Sequence, residues 1–354
     1  MKGHWGFLRV VLAAVAVVAG TSAAGAQTFS IDAGSPSRGG VGSAEDDLAT
    51  APWPALVLSG AFTASGGVTG PIEVDAFSFQ QPHFWKSEED VFSIEFSVDR
   101  AALGVPGTAV AVETTGPAGG AGHAAADVFR TLAPFGLPAN VQLYDGDGVL
   151  TATNAGLPLG LVEAPLPDNV DGLDLTGPVV GPGTFVYFSV DAGSAAGPYA
   201  GAVTQADVLV GPGAAGFDAP AGTLVYAAAA ALGLNPAGGD DIDALVVFDN
   251  GDFVFTPGTD RILFSLAPGS PTLLLIAGPG GAATAGDILM DGGLAGAPMV
   301  LFAAESLGLQ TLRSGFAQDD NLDALSITLI PEPGAIAGAV LGIVVCVAFR
   351  RRRR

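Results

Sequence analysis

The sequence predicts an all-β body built from repeats, and three observations carry that expectation. Gly (52) and Pro (25) punctuate a 354-residue chain whose remaining segments are short Val/Leu/Phe runs, the pattern of many short strands joined by turns. Apolar residues make up 49% and charged residues 14%, enough apolar surface for a buried core in one large or two medium domains. An Asp-rich block also recurs along the chain in company with other fixed landmarks.

The block reads Asp168-Asn169-Val170-Asp171-Gly172-Leu173, then Asp240-Asp241-Ile242-Asp243-Ala244-Leu245, then Asp320-Asn321-Leu322-Asp323-Ala324-Leu325. A degenerate copy stands at Glu73-Val74-Asp75-Ala76-Phe77. A Phe-Ser element recurs at Phe96-Ser97, Phe188-Ser189 and Phe264-Ser265. An Asp-aliphatic element recurs at Asp127-Val128, Asp207-Val208 and Asp287-Ile288. Leu-Gly-Leu precedes each full Asp block, at Leu159-Gly160-Leu161, Leu232-Gly233-Leu234 and Leu307-Gly308-Leu309. Four landmarks in constant order define units of about 75–171, 171–243 and 243–323 inside a β domain at 71–330.

In the clearest unit the strand-like runs are 245–248, 252–255, 261–266, 272–276, 288–290 and 299–302, with an alanine-rich helix over 227–232. Turn signals such as Asp249-Asn250-Gly251 and Pro268-Gly269 separate them. That many strands per unit predicts two four-stranded blades each, hence a β-propeller of six or seven blades, with a repeated β-sandwich as the alternative. Residues 27–70 are rich in Gly, Ser and Ala with few strand signals, and read as an arm or a first, imperfect blade.

The N-terminus predicts a secretory signal peptide over residues 1–26. Lys2 and Arg9 flank the apolar run Val10 to Ala19, and Ala24-Gly25-Ala26 offers a small-residue cleavage site for signal peptidase with Gln27 as the mature start. Residues 331–354 begin with Pro331-Glu332-Pro333, which breaks any helix upstream. An uncharged apolar stretch, Gly334 to Phe349, follows and measures ~24 Å as a helix. The run Arg350, Arg351, Arg352, Arg353 and Arg354 fixes that end in the cytoplasm and leaves the intervening body outside.

This terminal layout resembles the PEP-CTERM sorting signal of Gram-negative-type bacteria, over about the last 24 residues. The resemblance implies that Pro331, Glu332 and Pro333 form the recognition motif of an exosortase-type membrane enzyme and that the arginines retain the tail until it is cut. It also implies a setting of exopolysaccharide and surface matrix. The body itself is loosely similar to uncharacterised extracellular bacterial repeats, which implies no activity. Expected localisation is therefore the cell surface or the extracellular space, with transient anchoring in the inner membrane.

Between leader and tail only Arg38, Lys86, Arg100, Arg130, Arg261 and Arg313 oppose 35 acids, a formal charge of about −29. Such a body is repelled by nucleic acid and by anionic membrane. The single cysteine, Cys346, lies in the tail, so the body has no disulfide.

Catalytic constellations are sparse. His83 and His123 are the histidines left after the leader, and both read as idle, one beside aromatic packing and one in an exposed Gly/Ala loop. No H-E-x-x-H, G-x-S-x-G or Walker-type loop is present, so no catalytic residue is assigned and the chain is not expected to be an enzyme. Calcium is the one cofactor that the residues suggest. Asp145 and Asp147, and Asp249 and Asp252, place hard oxygens on Gly-containing turns, although the same residues are ordinary in hairpins. Asp240 and Asp243 of the repeated block allow the same two readings, and turn capping fits a feature present in every unit better. A non-catalytic scaffold or adhesive module is the expected function. The alternatives are a polysaccharide-active hydrolase using two carboxylates, for which Trp53 and Trp85 are the only tryptophans of the body, and a calcium- or small-ligand-binding propeller.

Overall fold

A computed structural model describes residues 26–31, 35–37, 48–50, 55–58, 68–69, 76–78, 94–115, 119–131, 140–148, 157–164, 166–176, 185–194, 203–211 and 224–328. Thr28–Ser326 forms one compact unit, distinct from the two chain ends. The leader up to Gly25, the tail from Ile330 with the Pro331 motif and the arginines, and His83, Trp53 and Trp85 lie outside the described residues. Among the described residues no helix is long and apolar enough to cross a membrane.

The fold is all-β with short helices at Ala109–Thr115, Ala229–Leu232 and Ala304–Leu307. Strands β1 (Ala26–Ser30), β2 (Leu48–Thr50) and β3 (Ala55–Leu58) open the chain, and β4 (Val68–Thr69) pairs with β7 (Leu103–Gly104). The first full sheet runs β5 (Ala76–Ser78), β6 (Glu95–Ser97), β8 (Val128–Thr131), β9 (Asn140–Asp145), with β10 (Leu157–Pro158) added parallel to β9. The second is the antiparallel meander β11 (Val170–Thr176), β12 (Phe185–Val190), β13 (Val208–Gly211), β14 (Leu224–Ala227). The third is β15 (Ile242–Phe248), β16 (Arg261–Leu266), β19 (Ile288–Met290), β20 (Met299–Phe302), with the small hairpin β17 (Ala277–Gly278) and β18 (Gly281–Ala282) inserted in the connection. The fourth sheet joins both ends of the body, in the order β21 (Ala324–Thr328), β1, β2, β3.

Each repeat unit therefore builds one main sheet, of five strands in the first unit and four in the others, not the two expected from its sequence. Two of the six strand-like runs do not extend. In 252–255, Gly251, Asp252, Phe253 and Val254 donate their amides to the side chains of Asp249, Asn250 and Asp252, and Phe253 adopts φ 59°. Short polar side chains that capture nearby amides compete with a sheet ladder. In 272–276, Pro271 starts a 3-10 turn (Pro271–Leu274), and the amide of Thr272 is captured by Asp240. The arm-like region likewise turns out to supply three strands of the last sheet, and Phe29-Ser30 on β1 is a fourth copy of the Phe-Ser element.

Packing between sheets explains why central strands read as continuous apolar runs. All six residues of β12 are buried. Val186, Phe188 and Val190 pack with Val128, Tyr144 and Leu159 toward the first sheet. Phe185 and Tyr187 pack with Leu245 and Phe264 toward the third. A strand covered on both faces reads as a nearly continuous apolar run, here broken only by Ser189, whose hydroxyl is hydrogen-bonded. Phe77, Phe96 and Phe129 of the first sheet cluster with Ala324 of the fourth.

The Phe-Ser serines fasten successive units. Ser97 Oγ donates to Val170 O at 2.7 Å, Ser189 Oγ to Ile242 O at 3.0 Å, and Ser265 Oγ to Leu322 O at 2.7 Å. Each bond runs from the second strand of one sheet to the Asp block that starts the next. Asp174, buried on β11, accepts from Ser78 Oγ on β5 and from the amide of Val247 on β15, so one carboxylate ties the leading strands of three sheets.

Candidate functional site

The repeated aspartates are mostly internal connectors. Asp240 Oδ1 accepts from the amide of Thr272 at 2.9 Å, and its Oδ2 accepts from the amide of Asn235 at 2.6 Å and from Thr272 Oγ1. Asp320 repeats the arrangement with Gln310, Ser37 and the Ser37 hydroxyl. Asp168 accepts from the amide of Val162, the same position after Leu-Gly-Leu. Ser194, Ser270 and Ser35 then accept the next amide of each block, from Asn169, Asp241 and Asn321. Buried carboxylates surrounded by such donors act as fixed turn caps, so the capping reading of Asp240 holds.

The Asp-aliphatic element follows the same rule in two units and departs from it in one. Asp207 Oδ2 accepts from the amide and hydroxyl of Thr204, and its Oδ1 from the amide of Ala229. Asp287 Oδ2 accepts from the amide of Thr284 and its Oδ1 from that of Ala304, and Arg313 pairs with the same carboxylate. In the first unit Asp127 Oδ1 keeps its bond from the equivalent amide, Gly146, at 2.8 Å. Ala124 stands where the other units have Thr204 and Thr284, and Asp127 Oδ2 is buried with no hydrogen-bond partner.

Two further acids stand beside this carboxylate. Asp127, Asp145 and Glu163 each bring one carboxylate oxygen within 4.8 Å of the others, and all three are buried. Asp145 ends β9, where the carbonyl hydrogen-bonded by the first Leu of Leu-Gly-Leu belongs to Ala228 in the second unit. Glu163 follows Leu-Gly-Leu by two residues, where the other units carry Pro236 and Thr311. The turn between them holds the group in place. The amide of Gly148 donates to Asp145 Oδ1 at 2.7 Å, and that of Asp147 donates to Glu163 Oε1 at 3.1 Å. Gly146 leaves no room for a side chain, because a Cβ there meets Ala126 Cβ at 2.6 Å and Glu163 Oε1 at 3.0 Å.

Burial and mutual repulsion act together on this group. Burial, then the charges of Glu163 and Glu113, push the Asp127 carboxyl well above its ordinary range. Burial, with Asp147 and Asp145 adding repulsion, pushes Glu163 up to about 8. Asp145 is raised as well, chiefly by burial. The described arginines are engaged elsewhere: Arg100 with Asp191, Arg130 with Glu95, Arg261 with Asp291, and Arg313 with Asp287 and Glu305. His123 is the neighbouring base, with Nδ1 3.4 Å from Glu163 Oε2. It is largely buried at the rim of this cluster, not exposed as the sequence suggested.

Of the four residues expected to hold calcium, the structure divides the two pairs. Asp145 belongs to the buried cluster, whereas Asp147 is exposed beside it and contributes its amide. Asp249 and Asp252 gather with buried Asp260 in a second acidic group. There the carboxylates accept local donors: Asp249 from Tyr226 Oη and the amides of Gly251 and Phe253, Asp252 from Val254 and Asn250, and Asp260 from Asn250 and Thr256. Asp127 and Glu163 were not among the expected ligands. Aligning the units column by column exposes Glu163, since it is an acid where the other copies have none. Comparison with known protein families, with curated proteins and with solved structures finds no match for this chain.

Proposed function

We propose that this chain is an exported and sorted cell-surface or extracellular-matrix protein whose body is a non-catalytic scaffold or adhesive module. Its four sheets are arranged as the blades of a four-bladed β-propeller. The observation that supports this reading best is the strand order β21-β1-β2-β3, in which the last strand of the body completes a sheet with the first three. Serine bonds between successive units and the Phe77–Ala324 cluster give every sheet two neighbours, as a ring requires. Closure has a consequence for export. β1 contains the expected mature start, Gln27, and β21 ends shortly before Pro331, so the strands nearest both processing sites belong to one sheet.

The hydrolase alternative fits less well, because the carboxylate group Asp127, Asp145 and Glu163 is buried while that of Asp249, Asp252 and Asp260 is occupied by its own turn, and a polymer substrate needs open access. The test is intact mass of the protein recovered from envelope and medium, in cells with and without the sorting enzyme. The expected result is a chain starting at Gln27 that loses the residues beyond the Pro331 region only when the enzyme is present. An intact Arg350–Arg354 tail in both strains overturns the sorting assignment.

A further inference from the structure

The first unit departs from the other two at its structural aspartate. In the second and third units the equivalent carboxylates, Asp207 and Asp287, have donors on both oxygens. In the first unit Asp127 has lost the donors to Oδ2 and gained two buried carboxylates, Asp145 and Glu163, within 4.8 Å. Asp127 has a buried oxygen without a partner and a carboxylate beside two more, a costly arrangement unless protons or a cation neutralise it. No described arginine supplies that charge.

We propose that Asp127, Asp145 and Glu163 bind one divalent cation of the calcium class. The donor set consists of hard carboxylate oxygens on a glycine-containing turn, which suits calcium's preference for several oxygens in flexible geometry. Exposed Asp147 stands beside the site as an added negative charge on its approach. The second acidic group, Asp249, Asp252 and Asp260, is excluded from the proposal because its oxygens serve the turn itself. The proposal does not depend on export or sorting, although extracellular calcium modules work at ~10⁻⁴–10⁻³ M, concentrations met outside the cell.

The test uses the full chain in detergent, stripped with EGTA and titrated with calcium chloride by calorimetry, with thermal melts in both conditions. One ion per chain and a melting point several degrees higher in calcium are expected. Glu163→Gln retains an acceptor for the Asp147 amide but removes one charge. It should bind calcium at least ~10-fold more weakly. In EGTA it should melt no lower than the parent, since the Asp147 amide keeps its acceptor and one of three crowded acids is gone, so the order of stability reverses between the two conditions. Asp145→Asn provides a second arm with the same expectation, and Asp252→Asn should respond like the parent. Absence of calcium heat and of any melting shift in the parent overturns the proposal. So does an unchanged response in both Glu163→Gln and Asp145→Asn, or its loss in Asp252→Asn.

Discussion

The two acidic groups have the same composition class and opposite physical states. Around Asp249, Asp252 and Asp260 the chain folds back so that its own amides reach the carboxylates, and the negative charge organises a turn. Asp127, Asp145 and Glu163 are all buried and Asp127 Oδ2 is left over. The difference teaches that acid count says little about a cation site. What matters is whether the local backbone has already consumed the oxygens, and that depends on loop geometry more than on residue type.

The largest expected effect separates burial from crowding, using a carboxylate outside both groups. Asp174 has donors from Ser78 and Val247 through its three-sheet connection, yet burial raises it from 3.8 to about 7. Its folded value lies above its unfolded one, so its contribution to stability is complete below about pH 4 and is lost as pH rises through 7. At about 1.4 kcal/mol per pH unit between the two values, the loss is on the order of 4 kcal/mol. Urea unfolding of the parent and of Asp174→Asn across pH 4 to 9 should show a steeper decline in the parent. Parallel curves would mean that burial alone does not hold the proton.

A smaller effect probes the satisfied group. Asp260→Ala removes the buried, charged acceptor of the Asn250 and Thr256 amides and should cost ~3 kcal/mol, equally in calcium and in EGTA. A calcium-dependent loss would contradict the assignment of this group to turn structure.

The smallest pair compares the two turns through their glycines. At Gly146 space is the limit, and Gly146→Ala should cost ~2 kcal/mol by overpacking against Ala126 and Glu163. At Gly251 nothing lies within 4 Å of an added Cβ, and only the φ of 98° opposes substitution. Gly251→Ala should therefore cost nearer ~1 kcal/mol. Denaturant midpoints of the two variants measured side by side check the ranking.

Much of the third sheet was legible in advance. The runs 261–266, 288–290 and 299–302 are strands with those bounds, because alternating apolar residues between turn signals encode a half- or fully buried strand locally. The runs 252–255 and 272–276 carried a similar apolar signal and failed as strands. Their outcome rests on side chains of Asp249, Asn250 and Asp240 taking backbone amides, a competition that apolar pattern does not record. The buried acidic cluster was visible only in part: Asp145 stands on its turn, but Asp127 and Glu163 lie 18 residues before it and 18 after it.

What the sequence determined by itself was local and periodic: the all-β class, the order of the repeat landmarks, the turn positions and the acidic excess. These follow from side-chain period, turn chemistry and composition, which need only neighbouring residues. What the tertiary structure decided was non-local. It joined residues 26–58 to 324–328 in one sheet, made each unit one sheet and not two, and brought three distant carboxylates together. Such contacts depend on which amides and faces remain available after local structure has formed, and only the folded chain resolves that competition.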